Sequence, residues 1–446
     1  MKRDNILILG SGVSALGAAK LAKKLNYNVR VSSKYEIGEF EKTTFSDLGI
    51  EFEEFRHSKS NISWANFIIK SPGIRSDIPF LKQATKEGVL VLSEIEFAYR
   101  NTNAKIIAIT GTNGKTTTST LLWYILRNAG LNVGLAGNIG YSFSESIIQD
   151  SYDYYVLELS SFQLEDIYDF KPHISVILNI EHDHLDRYNK RFADYISAKM
   201  KITMNQNEDD SCIYFLEDKH ITKHLNKIKA IKYPFRYNKK NDLNLGAWVT
   251  NNKIFIKTIK NNFTMTIHNL ALQGTHNIYN SMAASIAASA IGIKDEIIKK
   301  SLHDFRGIEH RLEFVGKVAG VNFINDSKAT NCNSVYYALE TVSSPVIWIC
   351  GGVDKGNDYS ILKHLVETKV KAIIILGKKV DKINSSFKKY VDTIYEVNSM
   401  EKAVNTAFSI SDADDTVLLS PACSSFDLFK NYEARGRAFK NSVLSI

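Results

Sequence analysis

No stretch of this chain limits its possible folds more than Ile106-Ile107-Ala108-Ile109-Thr110-Gly111-Thr112-Asn113-Gly114-Lys115-Thr116-Thr117. An apolar strand, Lys105–Thr110, runs into a Gly-x-x-Gly-Lys-Thr loop, and a helix is expected from Lys115 to Ala129. Glycines let backbone N–H groups turn inward around phosphate oxygens, a lysine supplies a mobile cation, and a hydroxyl can hold Mg²⁺. The helix N-terminus adds positive potential. The usual pattern has glycine where Ile109 stands, so the loop is a shortened variant. Gly111, Thr112, Asn113, Gly114, Lys115, Thr116 and Thr117 are read as a triphosphate site for ATP, and strand–loop–helix units of this kind belong to α/β folds.

The rest of the chain keeps the same alternation. Asn5–Leu9 and Asn28–Ser32 read as strands around a helix at Val13–Leu25, and a strand near Asn66–Lys70 ends at Ser71-Pro72-Gly73. Strands are expected at Tyr154–Leu159 and His173–Ile180, and a helix from Gly274 to Gly292. Further strands fall at Val321–Ile324, Val346–Cys350, Ala372–Leu376 and Thr416–Leu419. The segment Asp210–Met265 is Lys/Asn-rich with short β-like runs such as Lys253–Lys257, and carries no functional signal. At about 150 residues per domain, 446 residues suggest three domains. The polar Arg100–Lys105 stretch and a break near His303 set them at 1–98, 99–302 and 303–446.

Composition excludes several classes. With 44% hydrophobic and 23% charged residues the chain is neither disordered nor fibrous. The net charge of +8 is a mild excess for this length and reads as composition rather than a nucleic-acid footprint. Four scattered cysteines without a CxxC pair argue against a disulfide framework or zinc site and fit a reducing compartment. Lys2, Arg3 and the apolar run that follows resemble a signal peptide, but Asp4, the Gly10–Gly12 interruption and the later lysines favour a strand and helix. No segment approaches the roughly 18 apolar residues of a membrane helix, so a cytoplasmic protein without membrane insertion is expected.

Gly10-Ser11-Gly12-Val13-Ser14-Ala15 follows the first strand like a dinucleotide fingerprint, with Ala15 in the third glycine's place. The acid expected at the end of the second strand is missing; that end reads Val31-Ser32-Ser33-Lys34. The turn therefore suits some other diphosphate, with Lys34 as a possible partner, or is structural only. Glu158 and the run Glu181-His182-Asp183-His184-Leu185-Asp186 sit at strand ends, where an α/β sheet builds its site. Carboxylates beside a phosphate loop serve Mg²⁺, and a histidine can complete its shell. His182 alone reads as a solvent-facing loop residue. Asn325–Asn331, Gly351–Gly356 and Ser420–Asp427 form one rim suited to anionic groups. Cys423 has no partner placed for nucleophilic work and reads as a buried thiol.

Taken in order, Gly111–Thr117, Leu157–Leu164, Glu181–Asp186, His276-Asn277 with Asn280, His310-Arg311, Asn325–Asn331, Gly351–Gly356 and Ser420–Phe429 resemble the ATP-dependent Mur ligases of peptidoglycan synthesis. Ser71-Pro72-Gly73-Ile74, NDSKATN and SPACSSFD point to the branch that adds D-glutamate to UDP-N-acetylmuramoyl-L-alanine. The resemblance implies a Rossmann-like N-terminal domain for the UDP-sugar, a central P-loop ATPase domain with a parallel sheet, and a Rossmann-like C-terminal domain that closes over the site. It implies a monomer acting through an acyl phosphate, with phosphate and ADP released.

The same resemblance implies that Lys115, Glu158, His184, Lys199 and Lys328 are catalytic. Thr116 and Glu158 would hold one Mg²⁺, and His184 a second together with Lys199 as a CO₂-derived carbamate; spacing alone reads Lys199 as a surface lysine. Asn277, Asn280, Arg311 and Asp326 would surround ATP. Ser14, Lys34, Gly73, Asn138 and Gln163 would meet the UDP-sugar. Thr330, Lys355, Ser425, Phe426 and Tyr432 would receive D-glutamate. Tyr432 stands where a phenylalanine is common, and the missing acid near Ser32 leaves uracil recognition open. A folylpolyglutamate-type ligase would share the loop but has no reason to carry the Gly10–Gly12 domain. An NAD(P)-dependent oxidoreductase would leave Lys115 and Glu158 unexplained, and a nucleotide switch would not need the third rim.

Overall fold

Runs such as Ile6–Leu9 and Ile106–Thr110 are buried from end to end, which only strands covered on both faces require. A computed structural model describes residues 4–139, 141–149, 151–237, 243–305, 309–342, 345–354, 357–377 and 381–446. The chain divides into two compact units, Met1–Leu270 with Tyr279–Asp304, and Ala271–Ile278 with Phe305–Ile446. Their described strands form three sheets with helices between the strands, an α/β architecture.

The first sheet holds β1 (Asn5–Leu9), β2 (Asn28–Ser32), β3 (Glu51–Glu53), β4 (Phe67–Lys70) and β5 (Leu90–Ser93) in the order β3-β2-β1-β4-β5, all parallel. The chain leaves β1 toward β2 on one side and later reaches β4 on the other. That reversal opens a crevice at the carboxyl ends, beside Gly10, Ser32 and Ser71.

The second sheet of the same unit contains β6 (Lys105–Thr110), β7 (Val133–Gly137), β8 (Tyr154–Glu158), β9 (Ile174–Ile177), β10 (Ser211–Phe215), β11 (Ile231–Arg236), β12 (Gly246–Thr250), β13 (Lys253–Lys257) and β14 (Asn262–Thr266). Its order is β14-β13-β12-β11-β10-β9-β6-β8-β7. β6 lies between β9 and β8, so the loops that follow these strands are neighbours. The strands from β12 to β7 are parallel, but β12, β13 and β14 form an antiparallel meander. The wholly parallel sheet expected from the strand–helix rhythm is thus extended at one edge, because the Lys/Asn-rich segment alternates buried and solvent-facing residues.

Two helices join the sheets of this unit. Helix Val13–Lys24 packs so tightly on helix Phe143–Gln149 that a Cβ at Gly17 would lie 2.0 Å from Ser142 Oγ. Lys20 pairs with Glu145 across the contact at 3.0 Å.

The second unit carries β15 (Glu313–Val318), β16 (Val321–Asn325), β17 (Val346–Gly351), β18 (Val370–Leu376), β19 (Ile394–Val397) and β20 (Thr416–Ala422), ordered β15-β16-β20-β17-β18-β19. Only β15 runs antiparallel, to β16. Adjacent β16, β20 and β17 bring three functional loops to one edge.

Glu94, at the start of helix Glu94–Tyr99, is buried; one carboxylate oxygen accepts from Ser144 N, and the other has no partner among the described residues. Burial pushes this carboxyl up to about 7. The folded chain therefore holds a proton that the unfolded chain releases near the ordinary value of about 4.3. Stability from this site is present at low pH and falls as pH rises through about 7. Glu94→Gln should gain thermal stability on the wild type between pH 5 and pH 8. Melting curves at the two pH values measure it; an equal offset at both would refute it.

Candidate active site

The phosphate loop is shaped by its own sequence. Gly114 caps helix Lys115–Asn128 with φ 82°, in the left-handed region, and a Cβ there would lie 2.4 Å from Asn280 Oδ1. Only glycine fits. Lys115 Nζ folds back onto the carbonyls of Gly111 and Thr112, at 2.8 Å each. Thr116 and Thr117 are buried in the first turn. Asn280 Oδ1 accepts from Thr118 Oγ1 at 3.2 Å, which places Asn280 beside the loop.

The loop after β9 is tied to the phosphate loop by polar contacts. Asn113 N donates to Asn179 Oδ1 at 2.8 Å, and Asn113 Nδ2 to Glu181 Oε2 at 3.1 Å. Thr112 Oγ1 accepts from Glu181 N at 2.9 Å and lies 3.0 Å from Tyr195 OH. His184 follows with φ 51°, its ring 5.0 Å from Phe162 and its Nε2 3.6 Å from Asp183. His182 is exposed, as expected, and stacks on Phe192 at 3.9 Å.

Lys199 departs furthest from what its spacing suggests. It is 1% exposed, on helix Phe192–Met200, and donates to the Gly111 carbonyl at 2.7 Å. Burial, with the charge of Lys115 added, drives its pKa well below that of an ordinary lysine, against the opposing pull of Asp183 and Glu158. Such a shift favours the neutral, nucleophilic form of the amine.

Glu158 ends β8 at 1% exposure. Its Oε1 accepts from Asn138 Nδ2 at 2.9 Å, while Oε2 is buried with no hydrogen-bond partner among the described residues. An orphaned buried carboxylate oxygen on a strand paired with β6, just ahead of the phosphate loop, is the donor a hard cation takes, so Glu158 and Thr116 fit Mg²⁺. Gly137 is required here too, because a Cβ would lie 2.4 Å from the Glu158 carbonyl. Asn138, expected at the sugar, is thus bonded to the metal-type carboxylate. Gln163 is buried and accepts from Ser160 N and Oγ at 2.9 and 3.1 Å, bracing the turn after β8.

At the first sheet, Ser14 opens helix Val13–Lys24 and Lys34 is exposed beyond β2. Ser71 Oγ, in the Ser71-Pro72-Gly73 turn, is buried without a partner among the described residues, and a Cβ at Gly10 would come within 2.5 Å of it. The carbonyls of Gly73 and Ile74 are gripped from the loop that carries His184. Arg187 donates to both, at 3.0 and 2.7 Å, and to Glu165 Oε2 at 2.7 Å. Lys70, 1% exposed, reaches Ile74 O at 2.9 Å, Asp166 at 2.9 Å and Glu165 at 3.2 Å. Burial works against ionisation of Glu165, but Arg187 and Lys70 outweigh it and hold the carboxyl below its usual range.

In the second unit, Asp326 is buried, accepts from Ser420 Oγ at 2.8 Å, and is pushed up to about 7 by burial against the pull of Arg311. Arg311 Nε and His276 Nδ1 are buried with no hydrogen-bond partner among the described residues. Burial, with Arg311 adding to it, lowers His276 to about 4. Asn277 Nδ2 donates to Gln273 O at 2.9 Å. Thr330 and Lys328 share the loop after β16, where Lys328 Nζ lies 5.1 Å over the Tyr432 ring. Ser425 is buried and Phe426 is 70% exposed. Lys355 lies outside the described residues.

Arg435 escaped the sequence reading because it lies inside an ordinary helix. It is 2% exposed and donates to Ser327 Oγ and O at 3.0 and 2.8 Å and to Cys423 O at 3.1 Å, pinning two rim loops to helix Tyr432–Leu444. Cys423 is buried, 3.3 Å from Tyr359 OH, and burial pushes its thiol up to about 11, as a structural thiol requires.

Two family models match the chain: the Mur ligase middle domain over residues 109–288 and the glutamate ligase domain of Mur ligases over residues 310–423. Among curated proteins it is 47% identical to a UDP-N-acetylmuramoylalanine–D-glutamate ligase of Christiangramia forsetii, covering 99% of each chain. It is 46% identical to the protein of that name from Bacteroides fragilis (99% of each) and 37% to that of Thermoanaerobacter pseudethanolicus (100% and 99%). Among solved structures, the UDP-N-acetylmuramate-alanine ligase of Thermotoga maritima shares the fold at TM-score 0.62 and 20% identity, over 100% of both chains.

Lys70→Met should cost about 3 kcal/mol of stability, because it removes a buried cation from the part-buried Asp166 and Glu165. Denaturant unfolding measures this; a change below about 0.5 kcal/mol, the usual range for an exposed pair, would show that Lys70 is not a lock.

Proposed function

The chain belongs to the Mur ligase family, and from that premise we infer that it joins D-glutamate to UDP-N-acetylmuramoyl-L-alanine with cleavage of ATP to ADP and phosphate. Full-length identity to ligases of that activity carries the reading. The buried cluster around Gly111–Thr117 supports it from the side of chemistry. The three domains expected from the sequence, 1–98, 99–302 and 303–446, follow as the sugar-binding, ATP-binding and amino-acid-binding parts, the first and last Rossmann-like. The reaction belongs to the cytoplasm, where ATP and the nucleotide sugar are made, and the chain acts there as a monomer.

A carboxylate is a poor acyl donor, so the alanyl carboxylate first attacks the γ-phosphorus of ATP. The bond to the β-phosphate oxygen breaks, and ADP leaves. The D-glutamate amine then attacks the acyl carbon, the C–N bond forms, and phosphate departs as the amine loses its protons. The protein's work is positioning and charge neutralisation. Lys115 and the amides of the phosphate loop hold the triphosphate. Bound Mg²⁺ would neutralise charge on the phosphoryl oxygens, with Thr116 and Glu158 as the residues to hold one ion and His184 a second. Asn277, Asn280, Arg311 and Asp326 serve the rest of ATP. Ser14, Lys34, Gly73, Asn138 and Gln163 serve the UDP-sugar. Lys328, Thr330, Lys355, Ser425, Phe426 and Tyr432 serve D-glutamate and the transferred groups.

Lys199 takes up CO₂ in this reading. Its neutral amine attacks the carbon, an N–C bond forms and a proton is released, leaving a carbamate. The change turns a buried amine beside Lys115 into an anion that can share a metal. The lowered pKa supports it, since an ordinary lysine at pH 7 is protonated and unreactive.

Phosphate release from ATP with UDP-N-acetylmuramoyl-L-alanine should depend on D-glutamate and not on L-lysine or diaminopimelate; release indifferent to D-glutamate would sink the assignment. Lys115→Ala should abolish turnover, and near-wild-type kcat would mean that the triphosphate lies elsewhere. Lys199→Ala should be inactive and partly rescued by acetate or another short carboxylate, whereas full activity without rescue would remove the carbamate.

A further inference from the structure

Ser32 closes β2 with its side chain wholly buried, and its carbonyl accepts from Gly10 N at 2.9 Å. It therefore abuts the turn read as the diphosphate site. In Rossmann-type sheets this strand end supplies an acid that accepts a hydrogen bond from a ribose hydroxyl. Here the acid arrives from the neighbouring strand. Glu53 of β3 pairs with Ser32 in register, and Ser32 Oγ lies 2.8 Å from Glu53 Oε1.

Glu53 is not available to a ligand. Its Oε1 also accepts from Ser58 N and Asn61 Nδ2, at 2.8 and 2.9 Å, and its Oε2 from Ser58 Oγ and Arg56 Nε. The third member of the cluster is His57, whose Nδ1 lies 2.7 Å from Ser32 Oγ. A hydroxyl has one proton, and both other oxygens at Ser32 Oγ, Glu53 Oε1 and Arg56 O at 3.2 Å, only accept. Ser32 gives its proton to one of them, so it must accept from His57 Nδ1–H. The neutral ring then carries its lone pair on Nε2, which has no partner among the described residues.

We propose that His57 Nε2 is the acceptor for a ribose hydroxyl of the uridine, with Ser32 and Glu53 as positioning residues that fix its tautomer. The proposal rests on the UDP-sugar reading above. The Phe80 ring, 5.3 Å from the imidazole, limits its rotation. The neutral form also matches the local electrostatics: burial lowers the His57 pKa, Lys34 adds to that, and Glu53 only partly opposes it. The feature lay outside sequence reasoning because two segments, the end of β2 and the stretch from β3 to His57, meet only through strand pairing.

The test is calorimetric binding of UDP-N-acetylmuramoyl-L-alanine and its 2′-deoxy and 3′-deoxy ribose analogues. His57→Asn keeps an N–H near the Nδ1 position and loses the far acceptor, so it should bind the parent sugar about tenfold more weakly. One deoxy analogue should lose about as much on the wild type and little more on His57→Asn. His57→Gln, which can return an oxygen near the Nε2 position, should recover part of the loss. In steady state the loss should fall on KM for the UDP-sugar rather than on kcat. Unchanged binding by His57→Asn, or full additivity with both deoxy analogues, would overturn the proposal while leaving the ligase reading intact. Failure of the wild type to bind the parent sugar would overturn the substrate reading and this inference with it.

Discussion

A buried amine hydrogen-bonded to a backbone carbonyl organises the chemistry of this protein. Lys199 reaches the Gly111 carbonyl from a helix far along the chain, and that bond ties helix Phe192–Met200 to the phosphate loop. A protonated ammonium would be costly there, at 1% exposure with the charge of Lys115 nearby. Around it, Glu158 keeps one oxygen unused and Thr112 ties the loops after β6 and β9 together. Polar groups left open at full burial mark where ligand charge belongs.

The sheet order makes that arrangement possible. With β6 between β8 and β9, three neighbouring strand ends lead into the phosphate loop, a carboxylate and the loop that carries His184. The second unit repeats the device with β16, β20 and β17. Precision there comes from Arg435, whose guanidinium spans two loops that sequence separates by about a hundred residues.

Where local chemistry decides structure, the sequence was readable. β1, β2, β6 and β13 fall on the strands expected, because short apolar or alternating runs bounded by turn residues admit few alternatives. The phosphate loop was legible for the same reason: its glycines, lysine and threonines act within one turn. Features made by pairing across the chain were hidden. Lys199 looks like any helix lysine until burial is known, and the carboxylate beside Ser32 comes from Glu53 through strand register. The antiparallel meander at β12–β14 follows from alternation in a segment whose charge masked it.

The clasp on the Ser71-Pro72-Gly73 turn has a consequence for how this surface can vary. Arg187 and Lys70 hold the turn through the carbonyl oxygens of Gly73 and Ile74, not through any side chain. A grip on backbone oxygen is indifferent to sequence. Side chains of the turn can be exchanged to suit a ligand while its distance from the His184 loop stays fixed, so recognition and positioning are free to evolve separately.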